Sequence, residues 1–209
     1  MSDVYLEDGF EKIFIKAIED LGYEYVAHQD IVRDSMKSPI ASEMLRESLR
    51  RINCELEDAA IDEAIHVIKN IDAGLLVDRN EIFFEYLQNG IEIVHLENDM
   101  PVTDRVHLID YDHFLNNTFV VTNQLTIVGK DTKRPDVLVY VNGLPLIVVE
   151  LKSMTSLNSD VSSAYRQIKN YQHDIEELFV YNVFNIISDF TTTKVGTITA
   201  GESWYKEWK

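Results

Sequence analysis

RPDVLVYVNGLPLIVVELK, residues 134–152, decides how the whole chain reads. Asn142-Gly143 lies between two apolar runs. An Asn-Gly pair in that place is the strongest short-range signal of a β-hairpin, because both residues accept positive φ. The pattern predicts strands over 136–141 and 144–151. The second run, LPLIVVEL, stays apolar at successive positions until Glu150, so it reads as a central strand covered on both faces. Side-chain alternation puts Glu150 and Lys152 on one face. Asp136 stands 14 residues before Glu150. A plain two-residue turn would pair Asp136 with Val149 and send the two acids to opposite faces. A three-residue or bulged turn near Asn142–Leu144 is therefore expected, so that Asp136 opposes Glu150. Their Cβ atoms would then be about 5 Å apart, close enough to share one cation.

Two carboxylates and an ammonium group in that arrangement suit phosphodiester hydrolysis. The reaction needs an activated water and a counter-charge for the phosphate. Paired acids can hold Mg²⁺, which takes hard oxygen ligands and keeps several waters, and Mn²⁺ is expected to substitute. The carbonyl of Leu151, between the two side chains, is a further candidate ligand. Lys152 would orient the attacking water or steady phosphate charge. A solvated acid and lysine at a strand end are common. Here, however, Glu150 ends a very apolar run, where an unpaired charge is costly.

Working outward, the first half reads as helical. Residues 7–21 place Phe10, Phe14, Ala17 and Leu21 on one face. Helices are also expected over 42–52 with Ser42 as N-cap, over 55–71, and from a cap at Asp78 to Gln88. Residues 91–97 and 105–110 read as a hairpin around the turn 98–101, and 119–128 as one longer strand. A helix is expected over 160–179, with Ala164, Ile168, Tyr171, Ile175 and Leu178 inward. A strand or two ending in Trp204 and Trp208 should close the chain. The expectation is a single α/β domain over 1–209. Residues 1–90 form its mainly helical portion, and 91–209 form a mixed sheet flanked by helices.

The net charge of −17 is unlike the basic footprint of a nucleic-acid binder. It is uneven: residues 1–100 carry 9 Lys and Arg against 23 Asp and Glu, and residues 101–209 carry 10 against 13. DNA, if bound, should meet the second half, and a partner should hold it, because phosphate neutralisation supplies most non-specific affinity. The most basic short stretch holds Lys130, Lys133 and Arg134, which fits either phosphate contacts or an exposed loop. One cysteine, Cys54, excludes an internal disulfide and fits a reducing cytoplasm. No apolar run is long enough for a membrane helix, and the N-terminus lacks a signal-peptide pattern. The six histidines show no zinc-hydrolase spacing. A G-x-x-x-x-G-K-[ST] loop is absent, so no ATP-driven motor is expected within these residues.

Pro135-Asp136 followed by Glu150-Leu151-Lys152 on a hairpin resembles the PD-(D/E)xK nucleases, which share a restriction-endonuclease-like fold. The string RPDVLVYVNGLPLIVVELK followed by AYRQIKNY is similar to the N-terminal nuclease region of type I restriction enzyme R subunits. The opening LEDGFEKIFIKAIEDLGYEY and the tail SDFTTTKVGTITAGESWYKEW resemble it too, as do LRESLRRIN, FFEYLQNGIEI and NNTFVVTNQLTI between them. The resemblance spans nearly the whole chain, with Tyr140 a mild variation where the family often has Phe. It implies metal-binding acids at Asp136 and Glu150 and a catalytic lysine at Lys152. It also implies a Q-x-x-x-Y pair at Gln167 and Tyr171, which share a helix face. Tyr171 equally fits core packing, since it lies on the apolar stripe. Glu11 resembles the extra acid that precedes the core motif in related nucleases; a solvated helix charge is its other reading. The implied activity is Mg²⁺-dependent cleavage of double-stranded DNA, with methyltransferase and specificity subunits as partners and ATP used only by motor domains beyond this sequence. A stand-alone repair or junction nuclease and a non-catalytic docking module are the rival readings.

Overall fold

The computed structural model describes residues 2–72, 74–97, 100–152 and 160–208, with side chains described from residue 9 onward apart from 95–97. The chain begins with α1 (Ser2–Asp20) and a short strand β1 (Glu24–Tyr25). Three helices follow: α2 (Ser42–Ile52), α3 (Asp58–Lys69) and α4 (Leu76–Asn89). A two-stranded hairpin, β2 (Ile91–Glu97) and β3 (Met100–Val106), leads into β4 (Phe119–Asn123). A small hairpin of β5 (Ile127–Val128) and β6 (Thr132–Lys133) precedes β7 (Val137–Val141) and β8 (Leu144–Leu151). Helices α5 (Val161–Asp174) and α6 (Glu176–Val180) cross over to β9 (Phe184–Ser188), β10 (Thr193–Gly196) and β11 (Lys206–Glu207).

Seven strands form one mixed sheet in the order β1-β4-β7-β8-β9-β10-β11. β8 is central: it runs antiparallel to β7 and parallel to β9. That position explains its apolar sequence, because both faces are covered. One face packs Val121, Val137, Val139, Val149 and Leu151 against Ile15 of α1. The other packs Val120, Leu138, Tyr140 and Val148 against Ala164, Ile168 and Tyr171 of α5. A further cluster joins α2, α3 and α4 to Val141, Leu144 and Leu146, at the turn end of the β7–β8 hairpin. Helices α2, α3 and α4 therefore brace the sheet at the end opposite Asp136 and Glu150.

The register is the expected one, but its cause lies elsewhere. Asn142 (φ 53°) and Gly143 (φ 81°) form a plain two-residue turn, with Val141 facing Leu144. The extra residue enters within β8: Tyr140 pairs with Pro145 and Val139 with Ile147, so Leu146 is the bulge. Val137 then faces Val149, and Asp136 comes level with Glu150. The turn itself has no room to expand. Gly143 O accepts from Ala41 N at 2.9 Å, and the buried Asn142 amide donates to Leu108 O and Asn117 Oδ1. The proline at 145 has no N–H to lose, and a bulge beside it sacrifices little of the ladder.

Several boundaries differ from those expected. The strand read over 119–128 is two strands, because Gln124 adopts φ 52° and turns the chain. The helix read over 160–179 breaks at Ile175 (φ −130°, ψ 52°). There the Asp174 carbonyl accepts from Lys130 N at 2.7 Å, so the loop after β5 replaces the next helical turn. Asp160 does cap α5, with a reciprocal Ser163 capping box. Ser42 is the first helical residue, with Ala41 as N-cap; likewise Leu75, rather than Asp78, precedes α4. Helix α1 starts earlier than read, and α3 is shorter. Met100 and Pro101 belong to β3 rather than to a turn, and β3 ends at Val106. Asn98 and Asp99 of that expected turn lie outside the described residues.

Candidate active site

Strand alternation and the bulge bring Asp136, Glu150 and Lys152 to one end of the β7–β8 pair. Glu150 follows Val148 on the α5 side and is 2% exposed. Its Oε1 accepts from Lys152 Nζ at 2.5 Å. Its Oε2 is buried with no hydrogen-bond partner among the described residues. Asp136 is better furnished: Oδ2 accepts from the Leu151 backbone N–H at 2.7 Å and Oδ1 from Gln124 Nε2 at 3.3 Å. Leu151 thus meets the site through its amide, while its side chain is buried on the α1 face.

Burial raises the Glu150 carboxyl to about 8, and the neighbouring charge of Asp136 adds to the shift while Lys152 opposes it. Burial likewise raises Asp136 to about 6, against the Leu151 N–H and the Lys152 charge, with Glu11 pushing it further up. Two neighbouring buried acids thus each hold a proton more tightly than a free carboxyl does.

Tyr171 stands over this pair. It is 4% exposed within the α5-side core, and its hydroxyl donates to the Arg134 carbonyl at 3.4 Å. Burial and the charges of Glu150 and Asp136 raise its pKa, and the Gln167 side chain counters that as a hydrogen-bond partner. Tyr171 is a core residue, as one of its two readings expected, and its hydroxyl end lies beside the acids. Gln167 acts on the Tyr171 hydroxyl.

Glu11 is brought to the site, though not as a third carboxylate: among the described residues no group of three His, Cys, Asp or Glu side chains is close enough to hold a metal ion between them. Its Oε1 accepts from Asn123 Nδ2 and its Oε2 from Gln124 Nε2 at 2.8 Å. Asn123 and Gln124 are the residues that the sequence reading missed. Their one signal is that the apolar run FVVTNQLTIV is interrupted there by two adjacent amides.

Two members of the basic stretch form ion pairs within the fold. Lys133 Nζ pairs with Asp131 at 2.7 Å and Asp174 at 3.1 Å, and Lys130 Nζ lies 3.9 Å from Glu176. Arg134 alone is exposed with no acidic partner among the described residues. The small hairpin is pressed onto the end of α5, where a Cβ at Gly129 would meet the Asp174 carbonyl at 2.2 Å.

A seven-stranded mixed sheet between helices, with an acid leading into one strand and Glu-Leu-Lys ending its neighbour, defines a restriction-endonuclease-like α/β domain. The sequence matches the family described as type I restriction enzyme R protein N terminus over residues 5–204, and the chain belongs to that family. It is 34% identical over 212 residues to the type I restriction enzyme HindI endonuclease subunit of Haemophilus influenzae, covering 97% of this chain and 20% of that protein. The putative type I restriction enzyme MjaIXP endonuclease subunit of Methanocaldococcus jannaschii is 28% identical over 208 residues, covering 95% and 20%. A Staphylococcus aureus relative, the type I restriction enzyme SauCOLORF180P endonuclease subunit, is 26% identical over 189 residues, covering 90% and 19%. The chain thus spans about one fifth of the length of these curated relatives. No helix among the described residues is long and apolar enough to cross a membrane.

Proposed function

We propose that this domain is the Mg²⁺-dependent DNA-cleaving part of a type I restriction enzyme endonuclease subunit, hydrolysing phosphodiester bonds of double-stranded DNA. The observation that carries the proposal is the placing of Asp136 level with the almost fully buried Glu150 carboxylate, which holds Lys152 on one oxygen while the other makes no well-formed hydrogen bond among the described residues. A buried acceptor left open costs roughly 1–3 kcal/mol, more when charged. A fold tolerates that where a ligand completes the site.

The residues fit a divalent cation. Asp136 and Glu150 would hold it, with the Leu151 carbonyl as a further oxygen and the remaining positions left to water. When bound, Mg²⁺ supplies a water of lowered pKa and a counter-charge for a phosphate oxygen. The chain's own residues do the rest. The Leu151 N–H and Gln124 fix the Asp136 carboxylate from both sides. Lys152 balances the Glu150 charge and presents an ammonium group at the open end of the strand, where it can orient water or neutralise a phosphate. Tyr171, backed by Gln167, closes the site on the α5 side and shields both acids from bulk water.

Electrostatics also support dependence on partners. With a net charge of −17, the domain repels DNA at long range, so other parts of the enzyme must deliver it. Methyltransferase and specificity subunits, together with an ATP-driven motor, fit that need.

The test is cleavage by the assembled enzyme. Asp136→Ala, Glu150→Ala and Lys152→Ala are each expected to abolish cutting, with Mg²⁺ or Mn²⁺ required by the wild type and ATP hydrolysis retained by the variants. Wild-type cutting by any of the three, or full activity in excess chelator, overturns the assignment. Robust cutting of branched DNA without ATP or partners would point instead to a stand-alone nuclease.

A further inference from the structure

Gln124 occupies a backbone conformation that its type seldom takes. At φ 52° it sits in the left-handed region, where Gly or Asn is less strained. Strain of that kind persists where the surrounding structure holds it, and it concentrates at functional positions. The backbone of Gln124 is held from the Asp136 side: its N–H donates to the Asp136 carbonyl at 3.0 Å. Its side chain then reaches two acids from elements far apart in sequence. Nε2 donates to Glu11 Oε2 on α1 at 2.8 Å and to Asp136 Oδ1 before β7 at 3.3 Å. An amide nitrogen has two protons, and both are used. Glu11 is also held by Asn123 Nδ2, and Asn123 Oδ1 accepts from Tyr25 Oη at 2.8 Å. A continuous hydrogen-bonded chain thus runs from the sheet edge at Tyr25 through Asn123, Glu11 and Gln124 to Asp136, ending at the Leu151 N–H.

We infer that Gln124 is a positioning residue for the reaction: its amide yokes Glu11 to Asp136 and fixes the plane of the Asp136 carboxylate, so that the acid meets the divalent cation in one orientation. This deepens the reading given above and rests on it. A neutral donor is the group the place requires. A carboxylate there would add a third negative charge, and an apolar side chain would leave Glu11 and Asp136 facing each other without a bridge. Asparagine is informative because it accepts the left-handed backbone with less strain yet is one methylene too short to span both acids. The inference therefore separates stability from ion binding at a single position. Groups that orient a metal ligand typically change metal affinity or activity by about 10–100-fold when removed.

The experiment uses Mn²⁺ as the probe and measures, in this chain, its affinity by calorimetry or electron paramagnetic resonance alongside the melting temperature. Wild type, Asp136→Ala, Gln124→Asn and Gln124→Glu are compared, and the same substitutions are assayed for cleavage in the assembled enzyme. Gln124→Asn is expected to melt at or above the wild-type temperature, yet to bind Mn²⁺ about tenfold more weakly and cleave correspondingly slowly. Gln124→Glu should be no better on either count. Wild-type Mn²⁺ affinity in a stably folded Gln124→Asn would overturn the positioning role while leaving the metal site standing. Unchanged affinity in Asp136→Ala would remove the metal reading itself, and this inference with it.

Discussion

Replacing Glu150 by Gln should make the metal-free domain more stable at alkaline pH while destroying its activity. The carboxyl lies at about 8 in the folded chain against an ordinary 4.5, mainly because it is buried and beside Asp136. That gap corresponds to about 5 kcal/mol between the two protonation states when fully expressed. The sign follows from linkage. A folded-state pKa raised above the unfolded one means that the native protein holds the proton more tightly, so the contribution is present below 4.5 and is lost as pH climbs through 8. Gln mimics the protonated acid in shape and removes the ionisation, but it also gives up the contact with Lys152. The balance should be a stabilisation of roughly 2–3 kcal/mol near pH 8.5 and little change near pH 5. Urea unfolding in chelator at the two pH values reads it directly. Adding Mg²⁺ should raise wild-type stability at alkaline pH and leave the variant nearly unmoved. A loss of stability in the variant that is the same at both pH values would refute the reasoning, since it would mean the carboxyl stays charged and satisfied without a cation.

Three further outcomes are expected. Gly143→Ala should destabilise the fold by about 2–4 kcal/mol in urea unfolding, because its φ is 81° and a Cβ would sit 2.5 Å from Leu45 N and 2.6 Å from Ala41 O. Tyr171→Phe keeps the buried ring and removes a hydroxyl whose bond to Arg134 O is long, so stability should change by no more than about 1 kcal/mol while cleavage falls. Unaltered cleavage would leave Tyr171 a core residue only. Arg134→Ala should weaken DNA cutting with a reduced dependence on salt, whereas Lys133→Ala should not, because Asp131 and Asp174 already hold its ammonium.

The hairpin and the face shared by Asp136, Glu150 and Lys152 were readable from residues 134–152 alone, because everything that specifies them is local. Alternation has period two, an Asn-Gly pair sets the turn, and an apolar run that ends in an acid is its own anomaly. Even the need for one extra residue followed from counting. Where that residue went did not: it became a bulge at Leu146 because the Asn142–Gly143 turn is sealed against α2 and the loop around Asn117. The same division holds for the helices. Capping at Asp160 is a short-range pattern. The break at Ile175 arises because a distant loop takes the Asp174 carbonyl.

The union of Glu11, Gln124 and Asp136, and the neutralisation of Lys133, belonged to the folded chain. Glu11 and Gln124 are 113 residues apart, and their hydrogen bond exists only because α1 lies across the sheet. Periodicity tells which way a side chain points from its own strand or helix. Which charges meet is decided by how elements pack, and a buried charge depends on its partners more than on its neighbours in sequence.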